Sequence, residues 1–248
     1  MSETFKQRLK SGEEVLLLIT SITTGRTELE DSLALGSYDA IFIDGQHSTF
    51  SEERLEQFCS VTEDLGVPTQ IRIPHTRLTY MAGRYCDFGL SSVMVPEVME
   101  EASVDEAIEY FYYGTLGRRS WGGASRAGAK HFDTSSDQYR LEYANWWNNF
   151  GVLCVQLESV EGVTRARKFA MKEGIDYLAF GPNDLMFNLE RHPGYSLKTV
   201  KECVLNVADQ VKDLGVPLCW AIPTTAENRD EYRELGISVF WEGSQLNE

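Results

Sequence analysis

The chain has 248 residues, an ordinary length for one α/β barrel. Its 38 acidic residues against 23 basic ones give a formal charge of −15, which opposes binding to nucleic acid or to an anionic membrane. The five cysteines are odd in number and none forms a CxxC, so a disulfide framework or zinc site is not expected. The amino-terminal MSETFKQRLKSGEE also lacks an apolar signal core, and the expectation is a cytoplasmic protein.

In chain order, a short amphipathic helix is expected at about 3–10, covering the bottom of whatever follows. Apolar, β-rich runs then recur at 15–22, 40–44, 69–74, 92–98, 152–158, 177–181, 218–222 and 238–241. Most are continuous rather than alternating, as in strands of a parallel sheet buried on both faces. Between them lies helical spacing. Leu55, Phe58, Cys59 and Thr62 form one face, closed by Gly66. Val200, Cys203, Val204, Val207 and Val211 form another, closed by Gly215. The phrase DLGVP occurs at 64–68 and again at 213–217, marking equivalent helix-to-strand joints. Thr224 and Glu227 have the spacing of a capping box opening a helix after the seventh strand. The link 99–151 is long and carries a Gly/Arg-rich stretch at 114–128.

Eight strands alternating with helices predict one (β/α)8 barrel domain spanning 1–248. No GxGxxG follows the first strand, so an open dinucleotide-binding sheet lacks support. The eighth strand ends near Gly243 with five residues to follow, so the eighth covering helix is apparently missing.

Barrel enzymes carry their chemistry at the carboxyl ends of the strands. Glu158 closes the fifth run and Asp184 follows the sixth, so both carboxylates can face one point. Oxygen ligands without His or Cys suit a hard cation, Mg²⁺ or Mn²⁺. The alternative is that Glu158 starts a helix and Asp184 caps one. Arg72 lies within an apolar strand, where its fork would bind a carboxylate, either a substrate's or an acid of the barrel. His47 follows a strand and a glycine turn, as a general base or as a surface loop residue. No strand end offers a lysine for a Schiff base.

The residues also carry a likeness. YDAIFIDGQH at 38–47, IRIP at 71–74, CDFG at 86–89, VMVP at 93–96, GRRSWG at 117–122, VQLE at 155–158 and FGPNDL at 180–185 occur in order, each at an expected strand or loop. In these motifs, from about residue 10 to 243, the chain resembles the 4-hydroxy-2-oxoheptanedioate aldolase (HpcH/HpaI) family of metal-dependent pyruvate aldolases. The resemblance implies Glu158 and Asp184 as metal ligands and Arg72 as the holder of a 2-oxo acid. It implies His47 as the base with Asp87 orienting it, and Gln156, Gly181, Pro182 and Asn183 around the substrate. It further implies Mg²⁺ or Mn²⁺, a small 2-oxo acid such as pyruvate or oxaloacetate, an aldehyde or thioester acceptor, and a homo-oligomer. Two positions depart from the pattern: Gln46 stands where Glu is usual, and Asn183 where a small residue is usual. A condensing enzyme using a thioester, and a non-catalytic binding barrel, are the alternatives to an aldolase.

Overall fold

The structure is a computed structural model that describes residues 3–244. The elements in order are α1 (Phe5–Ser11), β1 (Val15–Ile19), α2 (Arg26–Ala34), β2 (Ala40–Asp44), α3 (Glu52–Asp64), β3 (Thr69–Arg72), α4 (Ala82–Asp87), β4 (Ser92–Val95), α5 (Glu101–Phe111), α6 (Tyr139–Phe150), β5 (Val152–Leu157), α7 (Val160–Ala170), β6 (Tyr177–Phe180), α8 (Pro182–Arg191), α9 (Val200–Val211), β7 (Leu218–Pro223), α10 (Arg229–Arg233) and β8 (Val239–Gly243). Each strand pairs in parallel with the next, and β8 returns to β1, closing the barrel expected from the sequence.

The continuous apolar runs are explained by the two shells they serve. Alternate residues, among them Leu17, Phe42, Met94, Cys154, Tyr177, Cys219 and Trp241, fill the inside of the barrel. The others, such as Ile41, Ile71, Val93, Val155, Leu178 and Phe240, meet the helices outside. Three polar side chains inside the barrel form a chain: Tyr177 donates to Gln70 Oε1 at 2.7 Å, and Gln70 Nε2 donates to Ser92 at 2.5 Å. Gly66 and Gly215, in the two DLGVP joints, take φ of 76° and 66°, a turn that side chains with a Cβ disfavour.

Helix α1 plugs the amino end of the barrel, with Phe5 and Leu9 packed into the inner core. Its Lys6 is buried and donates to Gly151 O at 2.7 Å and Tyr112 Oη at 3.0 Å, beside Asp176 at 3.1 Å. Burial pushes the Lys6 ammonium down and the Asp176 carboxyl up, and their mutual attraction opposes both shifts.

Two expectations change. No capping box forms at Thr224: its hydroxyl donates to Trp241 O at 2.9 Å instead, and α10 starts only at Arg229, behind Asn228. The tie to β8 takes the side chain that a cap would need. The missing eighth helix concerns residues 245–248, which lie outside the described residues; among those described, no helix follows β8. On the outer face of β8, Glu242 accepts from Tyr38 Oη at 2.7 Å and pairs with Arg229.

The α1 tether can be tested by mutation. Asp176→Ala leaves a buried ammonium without its carboxylate and should cost about 3–5 kcal/mol in urea unfolding. The double variant Lys6→Met/Asp176→Leu should regain most of that loss.

Candidate active site

Five strand ends build the site at the carboxyl mouth. Asp44 and Arg72 are register partners at the ends of β2 and β3. Arg72 Nε donates to Asp44 Oδ1 at 2.9 Å and Nη2 to Oδ2 at 2.6 Å, a bidentate fork. The fork fixes the third nitrogen: Nη1 points to Gln156 Oε1 at 3.4 Å and lies 4.0 Å from Glu158 Oε1. Burial pushes the Asp44 carboxyl up, but the Arg72 fork and the amides of Gln46 and His47 outweigh it and hold the group below the usual range. Asp44 was not among the site residues expected from sequence. The signal was its place opposite Arg72, which only the strand register reveals.

Glu158, just past β5, is 4% exposed. Its Oε2 accepts from the Glu97 amide at 2.8 Å, while its Oε1 is buried with no hydrogen-bond partner. Burial, aided by the negative charge of Asp184, raises its pKa to about 7, against the pull of the Glu97 amide and Arg72. Glu97, at the end of β4, is the one non-glycine residue described with positive φ, 53°. That unusual backbone aims its N–H at Glu158.

Asp184 is exposed at the third position of α8, whose amino end points at Glu158. The helix begins Gly181-Pro182. A Cβ on Gly181 would lie 2.3 Å from Glu158 Oε1 and 2.6 Å from Gln156 Nε2, so only glycine leaves room for that carboxylate. The Gly181 amide is spent on Leu157 O at 3.2 Å and Pro182 has none. The amides of Asn183 and Asp184 are the free donors of this helix start. Asn183 and His47 are exposed beside the mouth.

The structure thus gathers Arg72, Gln156, Glu158, Gly181 and Asp184, with His47 on the loop held by Asp44. It does not bring Asp87 to His47 within one chain. Asp87 ends α4, before β4, at the amino ends of the strands, whereas His47 follows β2 at the carboxyl ends. There Asp87 accepts from Arg119 Nη2 at 2.7 Å, and burial raises its pKa against the pull of that guanidinium. The Gly/Arg-rich loop packs at the same end. Arg119 stacks 4.5 Å over Trp147, and Arg126 stacks 4.0 Å over Trp121. A cavity of about 620 Å³ also opens at the amino ends, among Arg8, Tyr38, Glu63 and Trp146, and holds none of these mouth residues.

Among the described residues no group of three or more His, Cys, Asp or Glu could hold a metal, which leaves Glu158 and Asp184 as a candidate pair. A divalent cation there would draw its remaining ligands from substrate oxygens and water. The orphaned Glu158 Oε1 and the space left by Gly181 suit such an ion. Among the described residues no helix is long and apolar enough to cross a membrane.

Comparison with known proteins shows the family and the fold. The family model described as HpcH/HpaI aldolase/citrate lyase matches residues 24–246. A 5-keto-4-deoxy-D-glucarate aldolase of Shigella boydii serotype 18 is 26% identical over 219 residues, 86% of this chain and 80% of that protein. A crystal structure of an HpcH/HpaI aldolase from Desulfitobacterium hafniense shares the fold with TM-score 0.80 at 22% identity, over 98% of this chain and 91% of that one. A citrate lyase beta subunit from M. tuberculosis, complexed with oxaloacetate and magnesium, is similar with TM-score 0.53 at 14% identity, over 94% and 92% of the two chains. With a closed barrel, its acids at the carboxyl mouth and a family match over most of its length, the chain belongs to the HpcH/HpaI aldolase/citrate lyase family of lyases.

Proposed function

We propose that this protein is a divalent-metal-dependent aldolase that makes or breaks a carbon–carbon bond at carbon 3 of pyruvate or a related 2-oxo acid. The observation that carries the reading is Glu158: a buried carboxylate with one orphaned oxygen, facing Asp184 and the inner nitrogen of Arg72. Relatives support the chemistry, one named as an aldolase of a keto acid and one holding oxaloacetate with magnesium.

Glu158 and Asp184 would hold Mg²⁺ or Mn²⁺, with Gln156 beside them. Bound there, the cation supplies Lewis-acid withdrawal of electrons from the carbonyl of the 2-oxo acid. The residues of the chain do the rest. Arg72, locked by Asp44, presents Nη1 to the 2-oxo oxygen and stabilises negative charge as it develops there. The free amides of Asn183 and Asp184 at the start of α8 receive the substrate carboxylate. His47, on the loop whose amides hold Asp44, takes the proton from the aldol hydroxyl in cleavage and returns it in condensation. Asp87 has no part in this within one chain. The Arg119–Arg126 loop, at the opposite end, gives no support to a thioester acceptor.

Retro-aldol cleavage of a 4-hydroxy-2-oxo acid, followed by pyruvate release, tests the reading. Chelator should abolish it and Mg²⁺ or Mn²⁺ restore it; turnover that survives chelation overturns the metal assignment. Glu158→Gln should lower kcat/KM by roughly 10²–10³-fold while the unfolding midpoint holds or rises, because an unpaired buried charge is removed.

A second measurement follows from the raised Glu158 pKa. The carboxylate must lose its proton to ligate, so Mg²⁺ affinity should fall about tenfold per pH unit below about pH 7 and level off above it. Calorimetry at about pH 6 in buffers of different ionisation enthalpy should show close to one proton released per ion bound, and almost none at about pH 8. Gly181→Ala should remove Mg²⁺ binding at both values, since the new methyl group occupies the place of Glu158 Oε1.

A further inference from the structure

One polar pair at the mouth has no role in the chemistry above. His75, three residues past β3, and Glu97, past β4, sit on neighbouring strand ends, with His75 Nε2 3.6 Å from Glu97 Oε2. Both are largely exposed to the mouth, at 52% and 42% of the side chain. Their placement is built. The Glu97 backbone is fixed by its φ of 53° and by its amide on Glu158 Oε2 at 2.8 Å. The residues alongside are tied across the same gap: Thr76 donates to Pro96 O at 2.5 Å. His75 Nδ1 accepts from the Arg77 amide at 2.9 Å, so the neutral ring carries its proton on Nε2, pointing at Glu97.

The two side chains therefore offer one donor and one acceptor, separated by slightly more than a direct hydrogen bond. A hydroxyl placed beside them can accept from His75 Nε2–H and donate to Glu97 in the same pose. A carboxylate cannot, because it has no proton to give and meets the charge of Glu97. Arg72, at the end of β3, is already committed to Asp44 through two of its nitrogens. Negative charge from Glu97 and Asp184 also reaches Glu158, so the mouth repels a second anion beyond the 2-oxo acid.

We propose that His75 and Glu97 form the acceptor side of the site and select an uncharged hydroxyaldehyde. This rests on the aldolase reading above and names its second substrate class. The pair acts on specificity: it recognises the acceptor hydroxyl, while the bond-making groups remain those already described.

The test is condensation of pyruvate with D-glyceraldehyde, propionaldehyde and succinic semialdehyde in the presence of Mg²⁺, comparing kcat/KM. Wild type should favour glyceraldehyde by tenfold or more over both others. Glu97→Gln removes the charge and replaces one of the two acceptor oxygens with a donor, and should shrink both preferences to within about threefold. His75→Ala should raise KM for glyceraldehyde more than it lowers kcat. Glu97→Gly keeps the amide and the left-handed backbone but loses the carboxylate, so it should reproduce Glu97→Gln; if it retains the wild-type preference, the side chain is not the selector and the proposal falls. Equal preferences in wild type and Glu97→Gln also overturn it. Deuterium exchange into the pyruvate methyl group needs no acceptor. Its absence from wild type with Mg²⁺ would refute the aldolase reading and this inference together, whereas exchange with unshifted acceptor preferences would refute this inference alone.

Discussion

The site depends on one unfavourable burial. Taking an ionised carboxylate out of water costs several kcal/mol unless partners replace the hydration. Glu158 receives one backbone amide on Oε2, and its Oε1 has only a guanidinium nitrogen 4.0 Å away, beyond hydrogen-bond reach. The group can settle in two ways, with a proton or with a cation. A pKa of about 7 means that the two compete near neutrality. The rest of the mouth is arranged to leave that choice open: glycine at 181 keeps the space clear, and the fork on Asp44 stops Arg72 from swinging in to neutralise Glu158 directly.

The Asp44–Arg72 pair does a second job. An arginine with three free faces would be a mobile counter-charge; one pinned through two nitrogens is a directed single donor. Asp44 is held in turn by the amides of Gln46 and His47, so the loop carrying the proposed base and the strand carrying the directed donor share one anchor. Positioning at β2 and β3 is thus coupled, and a change at Asp44 would disturb both. By contrast Asp184 is exposed and held only by its helix, which suits a ligand that must exchange with solvent and substrate.

The barrel was legible in the sequence because both shells need apolar residues, which turns each strand into a short unbroken run. The doubled DLGVP joint was legible because a left-handed turn selects glycine at both sites. The site was only partly so. Glu158, Asp184 and Arg72 could be found because strand ends are where barrels place chemistry. Asp44 and Glu97 could not, since their roles come from register and from a backbone angle that no residue type advertises. Thr224 misled because a capping spacing is local, whereas its hydroxyl is claimed by β8, 17 residues away. Asp87 read as a site residue until topology put it, with the Arg-rich loop, at the amino ends. There, buried guanidiniums stacked on Trp147 and Trp121 have a packing role.

The same electrostatics explain Gln46. The family pattern has a carboxylate at this position, and here the side-chain oxygen of Gln46 is buried without a partner, two residues from Asp44. A neutral amide in that state costs about 1–3 kcal/mol, and an ionised carboxylate there would cost more. The charge missing from the β2 loop has a counterpart across the mouth, where Glu97 brings a carboxylate to the end of β4 within reach of Glu158. The Glu97 carboxylate thus stands past β4, beside His75 at the end of β3. A second substrate approaching the mouth would meet its polar, anion-repelling side there, and an uncharged hydroxyl would be the group best received.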